Sequence, residues 1–578
     1  MKQQAPVKKV LKRLRPYRLT LVAAVLCALV SVSLTLLIPV LVGRAIDRII
    51  GKGQVDFADV ALILGYIGAA IVGVTVCQWL MNYFVNRVSF RTVRDLRREV
   101  FRKLNTVPLS YIDTHGHGDL ISRVINDVDA VGDGLTQLFL QLFAGVVTIV
   151  GTLVFMLLTD WRIALVVFFL TPLSLFVAGF IGKLTARRFR EQQVLQGEIS
   201  SYVEEYVGNQ RIVKAFSYEQ QAFEDFEVYN TTLLDVGFKA QYAGALANPT
   251  TRLVNAIVYA AVGIIGALAA LSGTLTVGGL SCFLTYANQY TKPFNEVTGV
   301  LTQLQTGIAA AGRVFEVLEA ADETPDAADA ASPAHRGEVT IEDVSFSYTP
   351  EKPLIRHFSL RVKSGTHVAI VGPTGCGKTT LINLLMRFYD VNSGRILVDG
   401  ADIREMKRDD LRARYGMVLQ DSWLFHGTIM ENLRYGNENA SDEEIVRAAK
   451  AAYAHSFIRR MPQGYDTVIS EGGGNLSQGQ KQLLCIARAM LTNPEILILD
   501  EATSSIDTLT EIRVQKAFTK MMKGRTSFVV AHRLSTIRES DVILVMKDGN
   551  IIEQGSHREL LKQKGFYYEL YHSQFAVT

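Results

Sequence analysis

Cysteine is scarce in this chain, and so is charge. Five cysteines are spread over 578 residues, at Cys27, Cys77, Cys282, Cys376 and Cys485. No two of them have the spacing of a metal site. The odd count fits free thiols in a reducing compartment rather than a disulfide framework. Charged residues make up only 20% of the chain, and the net charge is +4. So small a surplus argues against a nucleic-acid partner. Hydrophobic residues reach 49%, and the length exceeds that of one ordinary soluble domain. Part of the chain therefore belongs in lipid.

The apolar residues are concentrated in the first 320 positions. Uncharged stretches run over Leu19–Gly43, Val60–Asn86, Gly134–Thr159, Ile163–Gly182 and Leu253–Thr291. A bilayer core takes about 20 apolar residues per helix. The last stretch is too long for one span, and Ser272-Gly273 near its middle reads as a tight turn. Six spans follow, near 19–43, 60–86, 134–159, 163–182, 246–271 and 277–302. Six buried helices of a soluble protein are the alternative, and six such runs argue against it.

Lysine and arginine orient the spans. The flank KKVLKRLRPYR (Lys8–Arg18) and the segments Arg87–Asp133 and Lys183–Gln241 are basic, while Thr159–Arg162 and Ser272–Thr276 are almost bare. Both termini are therefore expected in the cytoplasm. The first apolar run is too long for a cleavable signal peptide. Residues before Arg18 read as a short amphipathic helix in the membrane interface. The two long basic segments read as helices continuing the spans beyond lipid, with turns at YIDTHGHGDL (Tyr111–Leu120) and EYVGNQRIVKAF (Glu205–Phe216). His115-Gly116-His117 reads as a solvated turn rather than a metal site.

Composition shifts at ADETPDAADAASPAHRG (Ala321–Gly337), an Ala/Asp-rich stretch with two prolines that fits a surface linker. Beyond it, β-branched runs alternate with helical patterns: HVAIVG then TTLINLLMRF, and ILILDEA then TEIRVQKAF. That alternation predicts an α/β domain with a largely parallel sheet. The expected domains are 1–320 in the membrane, 321–337 as linker and 338–578 as the α/β domain.

GPTGCGKTT (Gly372–Thr380) follows a strand-like run and fits the phosphate-loop pattern. Gly372, Gly375 and Gly377 let backbone N–H groups wrap phosphates, with Pro373, Thr374, Cys376 and Thr380 completing the loop. Lys378 brings charge to the β/γ oxygens, and the Thr379 hydroxyl ligates Mg²⁺. The helix that follows offers its positive end. ILILDEATSS (Ile496–Ser505) is a buried strand ending in Asp500, placed near the metal, and Glu501, placed to polarise an attacking water.

The phosphate loop, LSQGQ and ILILDEATSSID, behind six spans, resemble an ABC transporter of the exporter type. The resemblance covers nearly the whole chain. It implies a six-span helical membrane domain with long cytoplasmic extensions, then a P-loop ABC ATP-binding domain that uses ATP and Mg²⁺. It implies two such domains clasping ATP between them. By motif match, Ser477, Gly479 and Gln480 in LSQGQ contact ATP held by the partner. Gln420 in MVLQDSWLF senses Mg²⁺, and Asp500 reaches the metal through water. His532 in VVAHRLST contacts the γ-phosphate. Asp507 in SSID communicates across the dimer, Tyr348 in VSFSYTP stacks on adenine, and Glu471 touches a partner's cytoplasmic turn. Catalysis falls to Glu501, His532, Lys378 and Gln420.

The family's usual signature is LSGGQ, so Gln478 replaces a glycine. LSQGQ resembles one member of bacterial heterodimeric exporters, the member with an intact catalytic set. That implies a second half-transporter as partner, with a homodimer as the alternative, in a bacterial inner membrane. The expected cargo is a hydrophobic or amphipathic small molecule. A lipid or lipopeptide flippase, a chelate importer and an ATP-gated regulator are the other readings. Asn248, Arg252, Asn288, Gln289, Lys292, Asn295 and Glu296 in or beside spans five and six face a cavity or partner helix, because polar groups in lipid are costly. Lys292 and Glu296, four apart, form an expected pair, with contact of Lys292 to substrate as the alternative. Phe168, Phe169, Phe176 and Phe180 read as packing or lipid-facing.

Overall fold

The computed structural model describes residues 6–49, 55–327, 330–331, 333–419, 422–500, 506–530 and 534–574, without the side chains of 170–175, 177–178, 180, 182–184, 247–248, 251, 294–299, 301–302, 471, 534–535 and 574. Two compact units emerge. One comprises Met1–Thr106 and His115–Ala320, the other Val107–Thr114 and Ala321–Thr578.

The first unit is helical throughout. A short helix α1 (Pro6–Arg13) precedes α2 (Arg18–Ile49) and α3 (Phe57–Leu104). After α4 (Leu109–Thr114), which belongs to the second unit, comes α5 (His117–Thr159). Then follow α6 (Trp161–Gly208), a short α7 (Gln210–Ala215), α8 (Glu219–Leu271) and α9 (Val277–Glu319). Among the described residues, Arg15–Ile49, Phe57–Leu104, His117–Thr159 and Arg252–Leu271 are long and apolar enough to cross a membrane. The apolar stretches of α6 and α9 run through residues whose side chains are not described. The long helices α2, α3, α5, α6, α8 and α9 run through the six stretches expected as spans. The 48 residues of α3 measure about 72 Å at 1.5 Å per residue, far more than lipid needs.

Local chemistry sets the helix ends. Asp56 accepts from the N–H groups of Ala58 and Asp59 at the start of α3, and Asp160 from that of Arg162 at the start of α6. Gly273, in the left-handed region at φ +74°, turns the chain between α8 and α9, where the sequence places its turn. Pro39, Pro249 and Pro293 lie inside α2, α8 and α9. Long membrane helices tolerate proline where neighbours re-satisfy the freed carbonyls. Buried hydroxyls bridge helices instead of facing lipid. Tyr286 donates to the Leu36 carbonyl at 2.6 Å, and Ser89 to the Gly132 carbonyl at 2.8 Å.

Three expectations need adjustment. The helix α1 is amphipathic, but Val10 and Leu14 bury into protein, in a cluster with Val88, Leu96, Val314 and Phe315, rather than into lipid alone. The two turns expected in the cytoplasm contain short helices, at Leu109–Thr114 and Gln210–Ala215. The 321–337 stretch is strapped down: Arg408 bonds the Thr324 carbonyl and Asp326, and Arg414 bonds the Pro333 carbonyl at 2.7 Å. Arginines on the α/β domain satisfy the carbonyls that its low apolar content leaves exposed.

The second unit contains two main sheets. Strands β1 (Val339–Phe346), β2 (Ile355–Val362), β4 (Ser393–Val398) and β5 (Ala401–Asp402) form an antiparallel sheet in the order β2-β1-β4-β5. The larger sheet runs β10-β9-β3-β8-β7-β6. Its members are β3 (His367–Val371), β6 (Tyr415–Val418), β7 (Ile496–Asp500), β8 (Thr526–Val530), β9 (Val542–Lys547) and β10 (Asn550–Gly555). All pairs but β9–β10 are parallel. Burial on both faces explains why β3 and β7 read as near-continuous apolar runs: Leu497 and Leu499 enter one core cluster and Ile496 and Ile498 the other.

Candidate functional site

Strand β3 delivers the glycine loop to the C-terminal edge of the parallel sheet, where ligands of open α/β sheets bind. Val368, Ala369 and Ile370 have no exposed surface, so the strand is a fixed base for the loop. A Cβ on Gly372 would sit 2.2 Å from the Met546 carbonyl oxygen. Gly377, at φ +103°, is the N-cap of α10 (Lys378–Leu385). The loop needs glycine at these two positions, one for space and one for conformation. Lys378 Nζ donates to the carbonyls of Gly372 at 2.8 Å and Pro373 at 2.9 Å. Pro373, Thr374, Gly375 and Thr379 are exposed at the mouth, whereas Cys376 and Thr380 are buried beneath it.

Register brings the acidic strand to the same edge. Val530 of β8 pairs with Ile370 of β3 on one side and with Asp500 of β7 on the other. Asp500 is thus level with a residue two before the loop, about 10 Å across at 4.8 Å per strand. Its neighbour Glu501 lies outside the described residues, as do Gln420 and His532, and the Glu471 side chain is likewise not described.

Tyr348 is 48% exposed. Its hydroxyl donates to Thr380 Oγ1 at 3.2 Å and accepts from Asn383 Nδ2 at 3.3 Å. Its ring meets Phe346 and Tyr389 edge to face, at 4.9 and 5.0 Å. An aromatic held by its rim with a face left open is a stacking platform. Tyr389 in turn donates to Asp113 of α4, and burial, with that carboxylate second, pushes its phenol pKa up. Sequence reasoning missed Tyr389 and Asp113, because nothing in the pattern of either segment points to the other.

The LSQGQ stretch follows α11 (Asp442–Ala451) and opens α12 (Gln478–Leu491). Ser477 is its N-cap and forms a capping box with Gln480: Ser477 Oγ accepts from the Gln480 N–H at 3.3 Å, and Gln480 Oε1 from the Ser477 N–H at 3.0 Å. Gln478 takes no left-handed backbone. A Cβ on Gly479 would instead meet Thr510 Cγ2 at 2.3 Å. Thr510 belongs to α13 (Thr508–Met522), whose N-cap is Asp507. The Thr510 backbone N–H, then its hydroxyl, holds the Asp507 carboxyl below its usual range.

In the membrane unit, Arg252, Asn288 and Lys292 are exposed and Gln289 is half-buried. The side chains of Asn248, Asn295 and Glu296 are not described, so the expected Lys292–Glu296 pair lies outside the described residues. Phe168, Phe169 and Phe176 are exposed, and the Phe180 side chain is not described. No cluster of three His, Cys, Asp or Glu suited to a metal occurs among the described residues. The donor set fits Mg²⁺, which binds through one or two protein oxygens plus phosphates, at Thr379 and Asp500.

A glycine loop opening a helix at the edge of a parallel sheet, with a carboxylate at the same edge, defines a P-loop nucleotide-binding domain, here carried behind a helical membrane domain. Residues 21–294 match the ABC transporter transmembrane region and residues 355–504 the ABC transporter family. An uncharacterized ABC transporter ATP-binding protein, YfiC of Bacillus subtilis (strain 168), is 42% identical over 96% of this chain and 92% of its own length. A fatty acid ABC transporter ATP-binding/permease protein of Mycobacterium tuberculosis is 38% identical over 97% and 95%. An ATP-dependent lipid A-core flippase of Syntrophus aciditrophicus is 36% identical over 98% and 94%. Among solved structures, a bacterial Atm1-family ABC exporter with ATP bound is similar at a TM-score of 0.79 and 31% identity, over 96% of this chain and 98% of that one. The chain belongs to the ABC transporters, as an exporter-type half-transporter that is a multi-pass membrane protein and an ATP hydrolase.

Proposed function

We propose that this half-transporter exports hydrophobic or amphipathic small molecules across a bacterial inner membrane, both termini facing the cytoplasm, paired with a second, different half-transporter. ATP is gripped between the Gly372–Thr380 loop of one subunit and the LSQGQ turn of the other. Lys378 and the loop N–H groups hold the phosphates, Tyr348 takes the adenine, and Ser477 and Gly479 reach ATP on the partner. Thr379 and Asp500 would hold Mg²⁺, which would neutralise charge on the phosphates. Glu501 orients the attacking water, with His532 and Gln420 at the γ-phosphate. Closure over ATP follows if the closed dimer binds ATP better than the open one. The observation that supports this reading best is the strand register that sets Asp500 level with Ile370, two residues before the glycine loop.

The test is Glu501→Gln in the full chain with its partner. ATP binding is expected to persist while turnover falls about 100-fold or more. Unchanged ATPase activity defeats the assignment. A second reading, a lipid flippase, draws support from relatives named for fatty acids and lipid A-core. Stimulation of ATPase by lipids but not by lipophilic drugs favours it.

A further inference from the structure

The helix α1 carries more apolar and basic surface than its packing uses. At 100° per residue its side chains fall into stripes. Val10 and Leu14 enter the protein core. Lys9 and Arg13 pair with Glu319 and Glu99. That leaves Val7 and Leu11, 41% and 48% exposed, beside Lys8 and Lys12. Lys8, Lys12 and Arg15 are exposed and make no ion pair among the described residues.

Behind Val7 and Leu11 lies a cavity of about 160 Å³, walled by Leu135 and Leu138 of α5 and by Leu304 and Ile308 of α9. All of its lining side chains are hydrocarbon, apart from Gly134 and Gly307, which have none. Those two glycines touch where α5 and α9 cross: a Cβ on Gly307 would lie 3.0 Å from the Ala130 carbonyl oxygen. A space of this volume has room for about a benzene-sized piece of hydrocarbon, and its wholly apolar lining offers water no partner.

Depth places it at the edge of the bilayer. Leu138 is 21 residues before the end of α5 at Thr159, or about 32 Å along the helix, against a hydrocarbon core of about 30 Å. An apolar bore beneath unpaired lysines at that depth matches one kind of molecule, with a hydrocarbon chain below and a negative head above.

We propose that this cavity binds part of one acyl chain of an anionic phospholipid, whose headgroup lies on Lys8, Lys12 and Arg15. None of its lining residues is among the ATP-binding residues or the polar residues of spans five and six named above. A chain lodged there ties α1 to α9, whose last residue, Glu319, directly precedes the segment leading into the ATP-binding domain.

The experiment uses the full transporter in phosphatidylcholine nanodiscs doped with phosphatidylglycerol carrying a diazirine on its acyl chain. Both leaflets then have the same composition, so the result does not depend on which way the chain faces. Adduct mapping by mass spectrometry is expected to concentrate on residues 7–11, 134–138 and 304–308. Unlabelled phosphatidylglycerol competes and phosphatidylcholine does not. Lys8→Gln with Lys12→Gln lowers labelling about fivefold or more, given the attraction of each basic residue to an anionic surface. Val7→Trp, which plugs the mouth from an exposed position, lowers it with the lysines intact. Adducts spread evenly over the lipid-facing helices, equal competition by both lipids, or unchanged labelling in the double lysine variant overturns the proposal. Because the readout is covalent capture, it stands apart from whether the protein hydrolyses ATP or exports anything.

Discussion

At position 478 a glutamine stands where the ABC signature has glycine, and the backbone explains why it is tolerated. Gln478 is the first helical residue after the Ser477 cap and adopts no conformation reserved for glycine. Gly479 is the position that cannot grow, because α13 leaves no room for a Cβ. Gln478→Gly is therefore expected to keep ATPase activity and to cost at most about 1 kcal/mol, the entropic penalty of a helical glycine. Gly479→Ala is expected to cost about 1–3 kcal/mol by overpacking and to depress ATPase with it. Thermal melts of both variants, beside steady-state ATPase, check the contrast, and equal effects refute it. Tyr389→Phe removes one hydroxyl that joins the Tyr348 platform to Asp113. It is expected to cost about 1 kcal/mol and to leave ATP affinity near normal while weakening substrate stimulation of ATPase. Loss of ATP affinity would show that Tyr389 only props up Tyr348. The glycine loop and Asp500 at the end of β7 were legible in the sequence because their spacing is itself the chemistry. The Tyr389–Asp113 contact was not, because it joins residues 276 apart through tertiary packing alone.

Elements show a similar division. Hydropathy marked stretches that fold as long helices, since lipid demands apolar length, and the Ser272-Gly273 break fell where α8 ends. Where each helix stops outside lipid was not legible, because beyond the bilayer helices such as α3 and α8 continue on capping and on packing against neighbours. The 321–337 stretch read as a linker from its prolines and acids. Its anchoring depends on arginines from far along the chain. The strongest of these is Arg414, which bonds Asp399 at 2.9 Å with both side chains almost wholly buried. Asp399 also accepts from the N–H groups of Arg336 and Glu338, so one carboxylate ends the linker and starts β1. Removing one member of a buried pair leaves the other charge uncompensated, which costs about 3–5 kcal/mol. Asp399→Asn keeps the shape, discards the charge and is expected to lower stability by about 3 kcal/mol or more. Denaturant unfolding of the full protein in detergent, followed by a probe in the ATP-binding domain, measures it. A loss below about 1 kcal/mol would show that the backbone bonds, not the ion pair, hold this junction.

The whole molecule is built to be half of something. ABC exporter half-transporters work as dimers, and in the proposed arrangement this chain supplies one phosphate loop and one signature turn to two shared ATP sites. The heterodimer reading follows from Gln478 together with an intact Lys378, Glu501 and His532 in sequence. A chain with a full hydrolytic set and an altered signature suits a partner whose own site hydrolyses poorly, since the altered turn then faces that weaker site. The structure adds a physical constraint. Gln478 preserves the helix start, so the altered signature keeps its cap, and any loss at the partner's site must come from the glutamine side chain at the approach to ATP. The chain expressed alone is therefore expected to hydrolyse ATP slowly, while co-expression with a partner lacking the equivalent of Glu501 restores turnover about 10-fold or more, a gain of about 1.4 kcal/mol in the barrier. In that pair, Glu501→Gln abolishes turnover, and Gln478→Gly changes it little, because the site it faces contributes little. Size-exclusion chromatography with light scattering, run beside the ATPase assay, reads both stoichiometry and activity. A stable homodimer of this chain with robust, substrate-stimulated hydrolysis would end the heterodimer reading and leave the glutamine as tolerated variation.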